Sequence, residues 1–281
     1  MASFDIVNQL ACSFIFCALT GFGASLLAAE PPASLPTFSE ALEKYRSGDF
    51  ERAAQMMKRL QTGGNLDAGA MLGLMYLRGK GVTRNRQLAD QYSNAAAAAG
   101  VAIAQTVQGE LASDPAREKP DYATAARWYA LAAQGGDAQG QANLGALYFQ
   151  GLGVAKDPVL GLQWTRRAAE QGSADGQGNL ATAYRRGVGV PVDYQKALYW
   201  YGVPARLGSA NCLYELGTMY VQGQGGAVDL VRAYAYFDIA GHRGSEKARA
   251  GEARLDQQLS AVEVKRALNL STGWKPGDPL P

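Results

Sequence analysis

Gly100, Gly136, Gly172, Gly208 and Gly244 follow one another at a fixed interval of 36 residues, and Gly64 extends the row backwards. Trp128, Trp164 and Trp200 keep the same interval, with Tyr92 and Tyr236 at its two ends. So do Tyr76, Tyr148, Tyr184 and Tyr220, and so do Gly79, Gly151, Gly187 and Gly223. Asp121, Asp157, Asp193 and Asp229 form another column, continued backwards by Asn85 and Asp49. A chain with a period of this length is a stack of like units, each too small to bury its own apolar face.

Each unit parses as two helices. Leu144 and Tyr148 stand four apart on one face of the first, with Gly145 beside them as a smooth spot. Gly151-Leu152-Gly153-Val154 ends that helix, because glycine accepts the left-handed backbone found past a C-terminus. Asp157 is placed to cap the second helix by accepting its free amide hydrogens. Ala125, Trp128 and Ala132, at i, i+3 and i+7, form that helix's buried stripe, and Gly136 closes the unit. The expected fold is all-α, a right-handed αα-superhelical solenoid of tandem helix pairs. The periodic Tyr and Trp columns are read as core.

The stretch Ala138 to Gly172 has the pattern A-x-x-L-G-x-x-Y-x-x-G-x-G-V-x-x-D with a later Trp, paired alanines and a closing glycine. It resembles the Sel-one-like repeat, a longer relative of the tetratricopeptide repeat. Leu180, Tyr184, Gly187, Gly189, Asp193, Ala197 and Trp200 carry the pattern in the next copy. In the unit from Val101 to Gly136, the segment Ser113 to Pro120 replaces the glycine turn, and the intact register marks a restructured loop. The resulting organisation is five Sel-one-like repeats over 67–245, preceded by a tetratricopeptide-like capping unit over 37–66. Capping helices over 246–270 and a tail over 271–281 follow. Ser260 and Glu263 have the spacing of a capping box.

Residues 1–29 are read as a signal peptide or an N-terminal anchor, and 30–36 as a linker. Leu10 to Ala29 carries no charge, and a cut after Ala28 or Ala29 fits an export signal. The expected location is periplasmic or secreted. The alternative is an inner-membrane anchor facing the periplasm, so a membrane enters only through an uncleaved N-terminus. Cys12 and Cys17 fall in this segment, which leaves Cys212 alone in a mature chain, with no internal disulfide to form.

Composition narrows the chemistry. A single histidine, His242, excludes a multi-histidine metal cluster, and its column otherwise holds Gln134, Glu170 and Arg206, an exposed position. The net charge of +2 leaves no basic footprint for nucleic acid. No S-x-x-K, H-E-x-x-H, G-x-S-x-G or phosphate-loop pattern occurs. The recurrent aspartates are read as helix caps. No cofactor and no enzymatic activity are expected.

What remains is a curved groove. The resemblance implies that the first helix of each pair lines the concave side. The groove positions then fall on Gln139, Asn143, Phe149 and Gln150, on Asp175, Asn179, Arg185 and Arg186, and on Asn211, Tyr214, Glu215 and Gln222. Asn143 and Asn179 match the asparagines of the tetratricopeptide carboxylate clamp, but its lysine is missing. A second candidate surface is the basic loop of Arg78, Lys80, Arg84 and Arg86. The expected function is an exported adaptor that binds a protein or peptide partner. The alternative is a polysaccharide or cell-wall binding factor, with a glycan as ligand, and a hydrolase is the remote third reading.

Overall fold

The computed structural model describes residues 36–281, so the leader and nearly all of the linker lie outside the described residues. Fourteen helices follow in order: α1 Phe38–Arg46, α2 Phe50–Thr62, α3 Leu66–Arg78, α4 Arg86–Ala98, α5 Ala102–Ala112, α6 Tyr122–Gln134 and α7 Ala138–Gln150, then α8 Pro158–Glu170, α9 Ala174–Arg186, α10 Tyr194–Arg206, α11 Ala210–Gln222, α12 Leu230–His242, α13 Glu246–Leu255 and α14 Ala261–Ser271. They pack as successive antiparallel pairs in an αα superhelix. The first helices α3, α5, α7 and α9 also touch their counterparts in the next unit. The second helices α4, α6, α8 and α10 meet mainly the first helices on either side, so the stack curves with the first helices inside.

The turn within each unit is closed by one backbone bond. The amide of Asp157 donates to the Tyr148 carbonyl at 3.0 Å, and Asn85, Asp193 and Asp229 repeat this with Tyr76, Tyr184 and Tyr220. The Asp121 amide makes the same bond to Ala112 at 2.8 Å across the restructured loop. That bond explains how the 36-residue register survives without the glycines: the loop changes its path but returns to the same carbonyl. Its cost is a shorter first helix, of 11 residues in α5 against 13 in α7.

The aspartate column, Asn85 included, behaves as caps in five of its six members. Asp121, Asp157, Asp193 and Asp229 each accept a backbone amide of the helix that follows, and Asn85 does likewise. Asp49 is the correction: it makes no side-chain cap bond, and its carboxylate lies 3.6 Å from Arg52 instead. Asp157→Ala is therefore expected to cost about 1 kcal/mol in chemical denaturation. Asp49→Ala should lie within about 0.5 kcal/mol of the unaltered chain, as for other substitutions outside the core.

The aromatic columns are part buried core and part half-buried, Tyr148 and Tyr220 among the latter. Tyr76 and Tyr184 are buried, whereas Trp128, Trp164 and Trp200 are half-buried. Tyr76 stacks on Tyr92 with ring centres 5.4 Å apart, and Tyr220 stacks on Tyr236 at 5.5 Å, so two columns meet face to face within a unit. A further column, polar and not among those named above, joins neighbouring units. Gln105, Gln141 and Gln177 are buried, and their amides donate to the carbonyls of Ala97, Ala133 and Ala169 at 3.2–3.3 Å. Those carbonyls lie in the last turn of the preceding helix, where intrahelical partners run out. Each also accepts the amide of the glycine that closes the unit, Gly100, Gly136 or Gly172, so the glutamine supplies a second bond at the unit boundary.

The capping box at Ser260 and Glu263 forms as expected. The tail does not trail away: residues 273–281 fold back on the molecule, with the Gly277 amide donating to the Arg206 carbonyl at 2.8 Å.

Candidate partner-binding groove

The first helices carry the groove positions in register, and three linked clusters line their concave side. In the first, Arg78 on α3 pairs with Glu110 on α5 at 2.6 Å. Burial pushes the Glu110 carboxyl above the ordinary carboxylate range, while the Arg78 guanidinium and an Asn143 hydrogen bond draw it back. Tyr129 reaches across Gly109, whose missing side chain leaves room for the ring, and its hydroxyl meets Ser113 at 3.0 Å. Together with Arg84, Gln139 and Asn143 these residues line a depression of about 280 Å³.

The second cluster bridges units. The Gln139 amide donates to Asn143 at 3.1 Å and to Asp175, one repeat on, at 2.8 Å. The third is built around Arg185. Its guanidinium pairs with Glu215 on α11 and donates to Gln224 at 2.7 Å and to Gln222 at 3.2 Å. The Arg185 side chain is only 11% exposed, so this cation is folded into the body rather than held out to a partner. Tyr214 stacks on Phe237 at 5.6 Å.

The groove candidates thus divide into two groups. Gln139, Asn143, Arg185 and Gln222 are engaged with one another or with neighbouring repeats, and Gln150 donates back to its own helix at Ala146. Phe149 is half-buried, its ring lying close over Gly161. Asn179, at the register position of Asn143, and the exposed Arg186 have no hydrogen-bond or ion-pair partner among the described residues.

The basic loop divides in the same way. Arg78 is held by Glu110, and Arg86 by Asp114 at 2.6 Å. The Lys80 ammonium lies over the Phe50 ring at 5.0 Å and near Tyr45 at 5.7 Å. Among the described residues only Arg84 of the four lacks such a partner. Two of the four positive charges are neutralised in space by Glu110 and Asp114, which lie about one repeat away and cannot be seen beside the run.

His242 is exposed and sits 3.2 Å from the Asp238 carboxylate on its own helix. Cys212 is buried, and burial pushes its thiol up to about 11, so it stays protonated and shielded at neutral pH. No cluster of His, Cys, Asp and Glu among the described residues could hold a metal ion, and no described helix is long and apolar enough to cross a membrane.

The architecture has solved counterparts. A Sel1 repeat protein from Oxalobacter formigenes is 25% identical, over 86% of this chain and 98% of its own, with a TM-score of 0.64. A protective antigen present in uropathogenic Escherichia coli strains, displaying an SLR fold, is 25% identical over 83% of this chain and 59% of its own, with a TM-score of 0.52. No curated protein matches the chain. The Sel1 repeat pattern matches residues 67–101, 116–137, 138–173, 174–208 and 210–245. The short second match omits α5, the helix that precedes the restructured loop. With more than half of its length in these five matches, the chain belongs to the Sel1 repeat family.

Proposed function

We propose that this chain is an adaptor of the bacterial cell envelope that docks an extended segment of a partner protein along its concave face. Sel1 repeat proteins generally mediate contacts between proteins and are generally not enzymes, which supports the coarse reading. The finer one rests on one observation. The polar side chains of α7, α9 and α11 are tied across the repeats by the Gln139–Asp175 and Arg185–Glu215 bonds, while Asn179 and Arg186 between them stay unpartnered. A groove so arranged is fixed before binding, and two free donors stand ready for backbone carbonyls or an acidic side chain. Preformed geometry spares a partner part of the ordering cost that otherwise weakens association.

Combining Asn179→Asp with Arg186→Glu is expected to weaken partner capture from envelope extract about tenfold, or about 1.4 kcal/mol, with helicity unchanged. Unchanged capture would remove the groove as the site. Binding of purified glycan fragments with no protein captured would replace a protein ligand with a polysaccharide.

The export reading rests on the uncharged stretch Leu10 to Ala29. A fusion of residues 1–40 to a reporter active only outside the cytoplasm is expected to give signal. Silence sinks export, and signal confined to the membrane fraction selects the anchored form.

A further inference from the structure

Helix α10 departs from the repeat at three neighbouring columns. Gly202 stands where other units have Ala130, Arg166 and Asp238; Pro204 replaces Ala132, Ala168 and Ala240; and Leu207 replaces Gly135, Gln171 and Arg243. Glycine and proline both weaken a helix interior, so their pairing within one turn calls for a local reason. Residues 273–281 lie against this stretch. Leu280 packs over Gly202, where an added Cβ would meet its Cδ1 at 3.7 Å. The Gly277 amide satisfies the Arg206 carbonyl at the end of α10, and the Tyr236 hydroxyl donates to the Pro281 carbonyl at 3.3 Å. Trp274 closes the segment on itself, donating to the Pro279 carbonyl at 3.0 Å.

The groove between α10 and α12 is larger than its occupant. It holds about 500 Å³ beside Leu280, lined by Leu198, Val203, Leu216 and Tyr236, with Leu207 70% exposed at the rim. Through Leu198 and Tyr220 it adjoins a cleft of about 940 Å³ bordered by Leu230, Leu259 and Leu270. Two separate anchors hold residues 273–281 to the body: Trp274, packed on the core under the Arg243 guanidinium at 5.6 Å, and Leu280, flanked by the Gly277 and Pro281 hydrogen bonds; only the second lies in this groove.

We propose that this groove, on the outer side of the curve, is a second docking site. It takes an extended, proline-flanked peptide segment with a leucine anchor, and residues 273–281 are its resident, displaceable occupant. A partner segment of the same chemistry but greater length gains the adjoining cleft as well, and so displaces the resident.

The test uses the full chain and a fluorescent peptide with the sequence of residues 273–281, read by anisotropy. Leu280→Asp in the chain frees the groove, and that variant is expected to bind the peptide at least tenfold more tightly than the unaltered chain. Adding Leu207→Glu, a substitution at an exposed position, is expected to abolish the gain, and a peptide carrying Leu280→Asp is expected not to bind. Equal affinity for both chains, no binding to either, or indifference to Leu207→Glu overturns the proposal. Asn179→Asp and Arg186→Glu should leave peptide binding unchanged, which keeps this site separate from the concave one.

Discussion

Gly153→Ala is expected to be the most damaging single-methyl change among the described residues, costing roughly 2–5 kcal/mol. Gly153 sits at φ +69°, where an L side chain is strained by about 1–2 kcal/mol. The larger part is steric. A Cβ there would stand 2.1 Å from the Tyr122 carbonyl oxygen and 2.2 Å from its carbon, at the start of α6. Those are backbone atoms, so relief requires moving α6 away from the turn that packs on it. Overpacking of this kind adds about 1–3 kcal/mol. Gly136 is the control: its φ is +87°, yet nothing lies within 4 Å of an added Cβ. Gly136→Ala should therefore cost only the conformational part, about 1–2 kcal/mol. Because Gly153 packs against the preceding repeat at Tyr122, the loss is concentrated at a nearest-neighbour interface. Urea unfolding followed by circular dichroism should then separate into two transitions in Gly153→Ala while staying single in Gly136→Ala. Equal costs for the two variants would show that the close approach at Tyr122 contributes nothing.

The same glycines show what a sequence of this kind can reveal. A column of identical residues at one interval reports a shared local demand, so the helix pairs, their turns and most caps are legible in the spacing alone. Gly81 and Gly189 repeat the approach of Gly153, lying against Phe50 and Pro158 of the preceding second helices. The groove is less legible because its side chains differ from repeat to repeat. Glu110 replaces a residue that is Leu74, Ala146 and Thr182 elsewhere, and nothing in its column announces that it faces Arg78. The Gln105, Gln141 and Gln177 column does carry the period, so this part of the unit boundary is legible in the spacing. A polar residue repeating inside an apolar face is a buried hydrogen-bonding position more often than a surface one. The tail is opaque for another reason. Its contacts are made once, by Leu280 and Gly277, and a single contact leaves no periodic trace.

Arg185 gives the second large effect, and it separates a structural role from a binding one. Its column is Leu77, Ser113, Phe149 and Val221 in the other units, so this guanidinium has no repeated partner. Here Glu215, Gln222 and Gln224 surround it, all from α11 and the turn that follows. With 11% of Arg185 and 22% of Glu215 exposed, the pair is sheltered enough that losing one member strands the other. Glu215→Ala is expected to cost about 2–3 kcal/mol, because a largely buried cation then keeps only neutral partners, the Gln222 and Gln224 amides and the Tyr201 hydroxyl. Arg185→Met should cost less, since Glu215 has more access to water. The double variant Arg185→Met with Glu215→Leu should recover most of the loss, as apolar replacements of buried ion pairs do. A thermal or urea double-mutant cycle measures the coupling directly. If Arg185 instead belonged to the partner surface, Arg185→Met would abolish capture at unchanged stability. In the arrangement seen here it strips support from α9 and α11, so stability falls first, and the capture that remains depends on Asn179 and Arg186.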